Sequence, residues 1–432
     1  MRSKLILVAT VVAGLVLASQ MAAADPVQEQ LRLMEQRMAQ MEDRLQATSD
    51  DLRSARVIVD QQQGLLSDAG LIDLSDKGIR SSVSSFVESV EVSGVIAASY
   101  NHRLIDGQGN IASGNSLFRH PDANTFALDQ FWLILDKPVN EDSRGGFHVE
   151  YVTGQTGLSQ GGNNTDEPYL YSGYVSYLAP IGDGIQIDVG RLATPFGAEV
   201  EQTNGNFFVT QGNLFGLQPV THTGISFSTA VSDEVSMVFG IVNEVYSDTF
   251  TSSDNDKAYY GQVSYGGDAF GLNVGVMTGD DSSAGIGACG GADCNVTIVD
   301  VVMTVDPTDN LSLWANFDYV NTAGDDRPKN GEAYGIAVAG RLAVTDTTGV
   351  ATRVEYVLVD QSLSSAPGLG NQASDDVAVF SLTGTVDHSL TDNLVVRGEI
   401  RWDTATDDGG GSVFANSRDD QVTAIAEIYY AF

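Results

Sequence analysis

The sequence predicts an all-β transmembrane antiparallel barrel of about sixteen strands, preceded by an N-terminal α-helical coiled-coil segment. Three observations carry this reading. The chain opens on an export signal, and no later segment could cross a bilayer as a helix. From about residue 88 it reads as short alternating runs whose connections are by turns short and long. It closes on "IAEIYYAF", where Val422, Ala424, Ala426, Ile428, Tyr430 and Phe432 share one parity and Thr423, Glu427 and Tyr429 the other. A period of two with one apolar face is a strand wetted on one side.

The signal is "MRSKLILVATVVAGLVLASQMAAADP": Arg2 and Lys4, an apolar run from Leu5 to Ala18, then Ala22-Ala23-Ala24. Cleavage is expected near Ala24, so residues 1–24 leave and the rest is exported. From Val27 the apolar positions step by four and three through Leu31, Met34, Met38, Met41, Leu45, Leu52, Ala55 and Val59. That stripe, about five heptads, suits a coiled-coil seam better than the wider face of a globular helix. Within it, "RMAQME" places Arg37, Met38, Met41 and Glu42 in the pattern associated with three-stranded coiled coils. Residues 25–63 are therefore read as a periplasmic trimerising stalk, 64–87 as a linker and 88–432 as the barrel.

Sixteen runs are counted: 88–101, 124–137, 144–154, 169–179, 184–192, 221–230, 233–243, 258–266, 269–278, 295–306, 309–320, 332–343, 349–359, 376–387, 392–403 and 420–432. Short gaps carry turn chemistry, as in "PIGDG", "VSDE" and "DPTDN". Long gaps are polar and rich in Gly or Asp, the longest being 193–220. A soluble β-sandwich also alternates, yet its loops show no strict long–short order. In lipid an open sheet edge has no partner, so the runs must close on themselves. The last strand, with Tyr430 and Phe432 on the lipid-facing parity, resembles the signal read by the outer-membrane barrel assembly machinery. Lipid and lipopolysaccharide are the surroundings this reading implies.

The composition agrees. Of 432 residues, 57 are acidic and 22 basic, for a net charge of −35. Nucleic acid is excluded as a partner, because phosphate backbones demand a basic face. A hydrophobic fraction of 42% is ample for a folded protein.

One stretch is distinctive: "GRLATPFGAEVEQTNGNFFVTQGNLFGLQPVTHTGISFS", Gly190 to Ser228. It resembles the porin-2, OmpL-like family of Gram-negative β-barrel porins, which shows a strand ending Gly-Arg/Lys-Phe, then Thr-Pro-x-Gly-x-Glu, Leu-Phe and Pro-x-x-His-Thr-Gly. Here these are Gly190-Arg191-Leu192, Thr194 to Glu199, Leu214-Phe215 and Pro219 to Gly224; Leu192 replaces the usual aromatic. The resemblance implies a generic porin.

Residues 193–220 are the third long loop, and in general diffusion porins that loop folds into the barrel and narrows it. Glu199 and Glu201 are thus expected at the constriction, with Phe207, Phe208, Leu214 and Phe215 pinning the loop to the wall. An ordinary surface loop with an apolar cap is the competing reading. Parity places Arg341, Arg353, Glu355, Arg397, Glu399 and Arg401 on the inner wall, since arginine on the lipid face costs about 2–4 kcal/mol near the midplane. His148, Glu150, Asp188, Asp300, Asp318 and Glu427 share the inner parity. The arginines are read either as one side of a transverse field facing the loop acids or as structural pairs, such as Arg397 with a cross-strand Glu355.

Catalytic residues are not expected: the histidines His102, His120, His148, His222 and His388 sit in no recognisable catalytic motif. Cys289 and Cys294, exported and close together, predict a small loop disulfide. No cofactor or metal site is expected, and acidic runs such as "GDD" lack the spacing of a dedicated calcium loop. Two functions stand: a trimeric, cation-preferring porin, or a structural or adhesive barrel whose coiled coil contacts peptidoglycan.

Overall fold

The computed structural model describes residues 89–104, 124–159, 169–246, 255–281, 295–323, 331–360, 376–407 and 420–432. The expected signal, the expected stalk with Arg37, Met38, Met41 and Glu42, the expected linker, and Cys289 with Cys294 all lie outside the described residues.

Sixteen strands form one closed antiparallel barrel. In chain order they are β1 (Glu91–Arg103), β2 (Thr125–Lys137), β3 (Gly145–Thr153), β4 (Tyr169–Ala179), β5 (Ile185–Ala193), β6 (Thr221–Ala230), β7 (Val235–Val242) and β8 (Ala258–Gly266). The second half comprises β9 (Phe270–Asp280), β10 (Asn295–Thr308), β11 (Leu311–Ala323), β12 (Gly331–Thr345), β13 (Thr348–Val359), β14 (Val377–Ser389), β15 (Leu394–Asp407) and β16 (Asp420–Ala431). One short helix, α1 (Gln155–Ser159), follows β3, and two 3-10 turns, Thr203–Gly205 and Leu214–Leu217, interrupt the connection from β5 to β6. No helix among the described residues is long and apolar enough to cross a membrane.

Every strand pairs with its sequence neighbours, and β1 pairs with β16 from Val95↔Ala431 to Arg103↔Thr423. Beyond that ladder, Gly94 and Phe432 exchange both backbone hydrogen bonds at 3.0 Å. A Cβ at position 94 would stand 2.2 Å from the Trp132 carbonyl oxygen and 2.7 Å from the Phe432 ring. Only glycine leaves room for the last aromatic ring against the first strand.

The outer surface is apolar: Tyr334, Ile336, Val338, Ile400, Trp402, Ile428, Tyr430 and Phe432 are all exposed. On a water-soluble protein such a band would demand a partner; on a barrel of this kind the partner is hydrocarbon. The inner face is divided. From β7 to β15 it carries an apolar core, including Met277, Ile298, Val320, Ala337, Val357 and Val379, in which Phe196, Phe208, Leu214 and Leu217 of the β5–β6 connection are embedded. From β3 to β6 the inward positions are polar: His148, Glu150, Tyr174, Ser176, Gln186, Asp188 and Ser226.

Candidate functional site: a loop held across the barrel

The connection 194–220 crosses the lumen. At its base, the Thr194 amide donates to the Val220 carbonyl at 3.0 Å. Gln262 of β8 donates to the Pro195 carbonyl at 2.7 Å. Gly197 then takes a left-handed φ of 92°, where a side chain is strained. Its amide reaches Asp300 of β10 at 3.2 Å, and the Ala198 amide reaches Asn316 of β11 at 3.0 Å. The Thr-Pro-x-Gly-x-Glu pattern is thus a hinge that aims the chain inward and delivers Glu199 to the far wall.

There Glu199 Oε1 lies 2.5 Å from Nη1 of Arg353 on β13. The loop turns at residues 200–206, where Asn206 bonds back to Val200 in both directions, at 2.9 and 2.7 Å. Its tip meets the two ends of the sheet. The Thr203 amide donates to Gln130 of β2 at 3.0 Å, and its hydroxyl donates to Glu427 of β16 at 2.8 Å. Gln130 in return donates to the Glu201 carbonyl at 2.7 Å.

The returning limb runs down the charged wall. The amides of Val209 and Thr210 donate to Glu399 at 2.7 and 3.1 Å, and the Thr210 hydroxyl donates to it at 2.6 Å. Arg353 donates to the Thr210 carbonyl at 2.9 Å, and Arg401 to the Gln211 carbonyl at 2.6 Å. Asn213 gives both its amide and its side chain to Glu355, at 2.6 and 2.7 Å. Gln218 closes the circuit on Asn316 and Asp318 at 2.9 and 2.7 Å. The Arg353 guanidinium also covers the Phe208 ring, 4.7 Å from its centroid.

The inward parity expected of Arg353, Glu355, Arg397, Glu399 and Arg401 is therefore seen, and all five are buried. They are buried by the loop. Arg397 does not pair with Glu355. Its partner is Glu427, its direct register neighbour on β16, whereas Glu355 on β13 is separated from β15 by β14. Arg397 also binds Thr203 and, at 2.9 Å, the Asn206 carbonyl. Glu355 instead lies 3.5 Å from Arg353 and 3.7 Å from Arg401. Arg341 forms a two-point pair with Asp387 at 2.6 and 3.0 Å near the short-turn end, and with Asn204 and Phe207 of the loop it lines a cavity of 300 Å³.

Burial pushes the Glu199 carboxyl above the ordinary glutamate range, and the Arg353 guanidinium and Gly212 amide only partly pull it back. Glu201 points the other way, its Oε2 3.3 Å from Gln211 Nε2. With Glu150, Tyr171, Gln202, Phe215 and Pro219 it lines a cavity of 150 Å³ between the loop and the β3–β5 wall. Toward the short-turn end a larger cavity, 480 Å³, opens among Gln186, Ser228, Gln262 and Ser264. Along this side Asp188 accepts from Ser176 at 2.6 Å. Arg191 is turned into the wall, donating to the Tyr171 carbonyl at 2.7 Å and the Tyr169 hydroxyl at 2.6 Å.

Several anchors carry no charge: Gln130, Thr210, Asn213, Gln218 and Asn316. Inward polar residues of this kind resemble ordinary lumen lining in a sequence. The visible signal was the run of donors from Thr210 to Asn213 in a loop facing a wall of carboxylates.

A closed sixteen-strand barrel with an apolar exterior and a loop folded into its lumen defines an outer-membrane barrel of the porin type. The model of the family described as "Putative beta-barrel porin-2, OmpL-like" matches residues 89–432, and the chain belongs to that family. Among solved structures, OmpT of Vibrio cholerae in its trimer form is similar at 14% identity, with 79% of this chain and 99% of that chain covered and a TM-score of 0.56. An anion-selective porin from Comamonas acidovorans is similar at 13% identity, covering 80% and 99% of the two chains, with a TM-score of 0.54. The outer membrane channel DcaP of Acinetobacter baumannii follows at 11% identity, 79% and 97% coverage and a TM-score of 0.54. At such identities the likeness is one of fold. No curated protein matches the sequence.

Proposed function

We propose that the protein is a passive, water-filled, cation-preferring channel of the Gram-negative outer membrane, assembled as a trimer. The observation that supports this is the asymmetry made by the third loop. On its β13–β16 side every arginine is occupied by a loop carbonyl or a carboxylate. On its β3–β5 side the polar wall carries Glu150 and Asp188, the loop adds Glu201, and Arg191 of β5 is sealed against tyrosine oxygens. The passage is therefore the acidic side, with Glu201 and the backbone around Glu199 as its constriction. Arg353, Glu355, Arg397, Glu399 and Arg401 hold the loop in place, so selectivity follows the net excess of acid on the other side. Residues 25–63, on the periplasmic side, supply the trimer contact. The β16 edge ending at Tyr430 and Phe432 is the part offered to the barrel assembly machinery.

Planar-bilayer recordings of the purified protein in a KCl gradient test the proposal. Stepwise openings in threes, with a reversal potential on the cation side, are expected. One observation favours a second reading. The loop is tied to β2, β8, β10, β11, β13, β15 and β16, a density of bonds that also suits a plugged barrel with a structural or adhesive task. A folded protein that leaves the bilayer silent would select that reading.

A further inference from the structure

We infer that His148 sets the charge of the passage, so that the cation preference of the channel is adjusted by one proton on one imidazole; the inference rests on the channel reading above. The register of three strands builds the arrangement. Asp136 on β2 lies directly opposite His148 on β3, and Tyr174 on β4 lies opposite it on the other side. Nδ1 of His148 is 2.8 Å from Asp136 Oδ1, and Nε2 is 2.9 Å from Glu150 Oε1. The Tyr174 ring stacks on the imidazole at 5.0 Å and 19°.

An imidazole with a carboxylate at each nitrogen satisfies both only when both nitrogens carry hydrogen, which is the cation. The neutral ring has one hydrogen to give, and its other lone pair then faces a carboxylate oxygen. With the cationic ring, Asp136, His148 and Glu150 together carry one negative charge; with the neutral ring they carry two. The set meets water, since side-chain exposure is 16% at His148 and 33% at Asp136. It also meets the loop, because Gln202 donates to the second oxygen of Glu150 at 3.1 Å. The ring is thus linked, through Glu150 and Gln202, to the loop that crosses the lumen.

The titratable and charged groups around the ring are Asp136 from β2, Glu150 from β3, Tyr174 from β4 and, one row further, Asp188 from β5. The loop contributes the uncharged Gln202. The other histidines among the described residues are placed differently. His102 bonds to Asn124 at the long-loop end, His222 is fully buried, and His388 is 2.9 Å from Thr348 at the short-turn end.

The test is the K⁺/Cl⁻ permeability ratio from reversal potentials at about pH 5 and about pH 8, on either side of the ordinary histidine range. The wild type is expected to become two- to threefold more cation-selective at the higher pH, roughly the effect of one unit charge about 14 Å from the passing ions in a water-like dielectric, where it favours the cation and disfavours the anion by about half of RT each. His148→Gln, neutral at both values, should hold the high ratio throughout; His148→Lys, cationic at both, should hold the low one. Should the lysine variant fail to fold, by heat modifiability on a gel, the glutamine variant alone decides. A conducting wild type whose ratio ignores pH, or a shift that survives in His148→Gln, overturns this inference alone. A silent bilayer overturns the channel reading and this inference with it.

Discussion

Glu199 and Arg353 are 154 residues apart in the chain and 2.5 Å apart in the barrel. The first belongs to the third loop and the second to the wall it crosses. Around the pair stand Glu355 and Glu399, whose remaining oxygens take loop amides and hydroxyls. The guanidinium is therefore the positive centre of a cluster of acids, and the two ends of the pair are not equivalent.

Arg353→Met should be the more damaging change. It leaves Glu199 buried without its cation and Glu355 with Arg401 alone, 3.7 Å away, a loss of about 3–5 kcal/mol for breaking a buried pair from one side. The barrel ladder does not depend on it, so the damage should fall on the loop. Limited proteolysis should cut within 194–220 in the variant and spare the wild type, and single-channel current should grow larger and noisier.

Glu199→Gln should be mild, and its effect should depend on pH. The folded chain binds the Glu199 proton more readily than the unfolded chain does, because burial raises the carboxyl. Its contribution to stability therefore grows as pH falls from the raised folded value toward the unfolded one. The unfolding temperature of the wild type, measured relative to Glu199→Gln, should rise as the solution is acidified through that window. A difference that falls on acidification would contradict the burial argument.

Gly197→Ala tests the hinge. The φ of 92° disfavours any side chain, and a Cβ there would sit 2.0 Å from Gln218 Oε1, disturbing an anchor already bound to Asn316 and Asp318. A cost of about 1–2 kcal/mol from the left-handed conformation is expected. Loop proteolysis without loss of the heat-modifiable barrel form would report it.

Gly94→Val tests the seam. The added side chain would strike both the Trp132 carbonyl and the Phe432 ring. The yield of heat-modifiable barrel in a detergent refolding assay should drop sharply, while Val92→Ala, on an exposed position of the same strand, should refold as the wild type does.

Asp188→Asn removes charge from the side assigned to the passage. Cation preference should fall by about twofold and the loss should shrink in concentrated salt, where fixed charges are screened. An unchanged reversal potential would move the passage elsewhere.

The strands were legible because lipid on one side and polar lumen on the other force a period of two, and because turn residues mark every short connection. β12 to β14 were harder: Ala337, Ala339, Val357 and Val379 face inward and are as apolar as the lipid face. Their parity could be read only from the charges Arg341, Arg353 and Glu355. The inward arginines were legible for the same reason, since a guanidinium has no place in hydrocarbon. Their partners were not. Which carboxylate meets Arg397 depends on register, and which groups meet Glu355 and Glu399 depends on the route of a loop that sequence periodicity cannot trace. Backbone amides do much of the anchoring, and every residue but proline has one.

Thr203 touches Gln130 near the beginning of the sheet and Glu427 near its end, so the loop tip straddles the β1–β16 seam. These bonds cannot all exist before the last strand has been laid against the first. Biogenesis thus acquires an order: the loop can lean on β8, β10 and β11 while the cylinder is still open, but it locks only at closure. Thr203 records, in two hydrogen bonds, that the barrel has been completed.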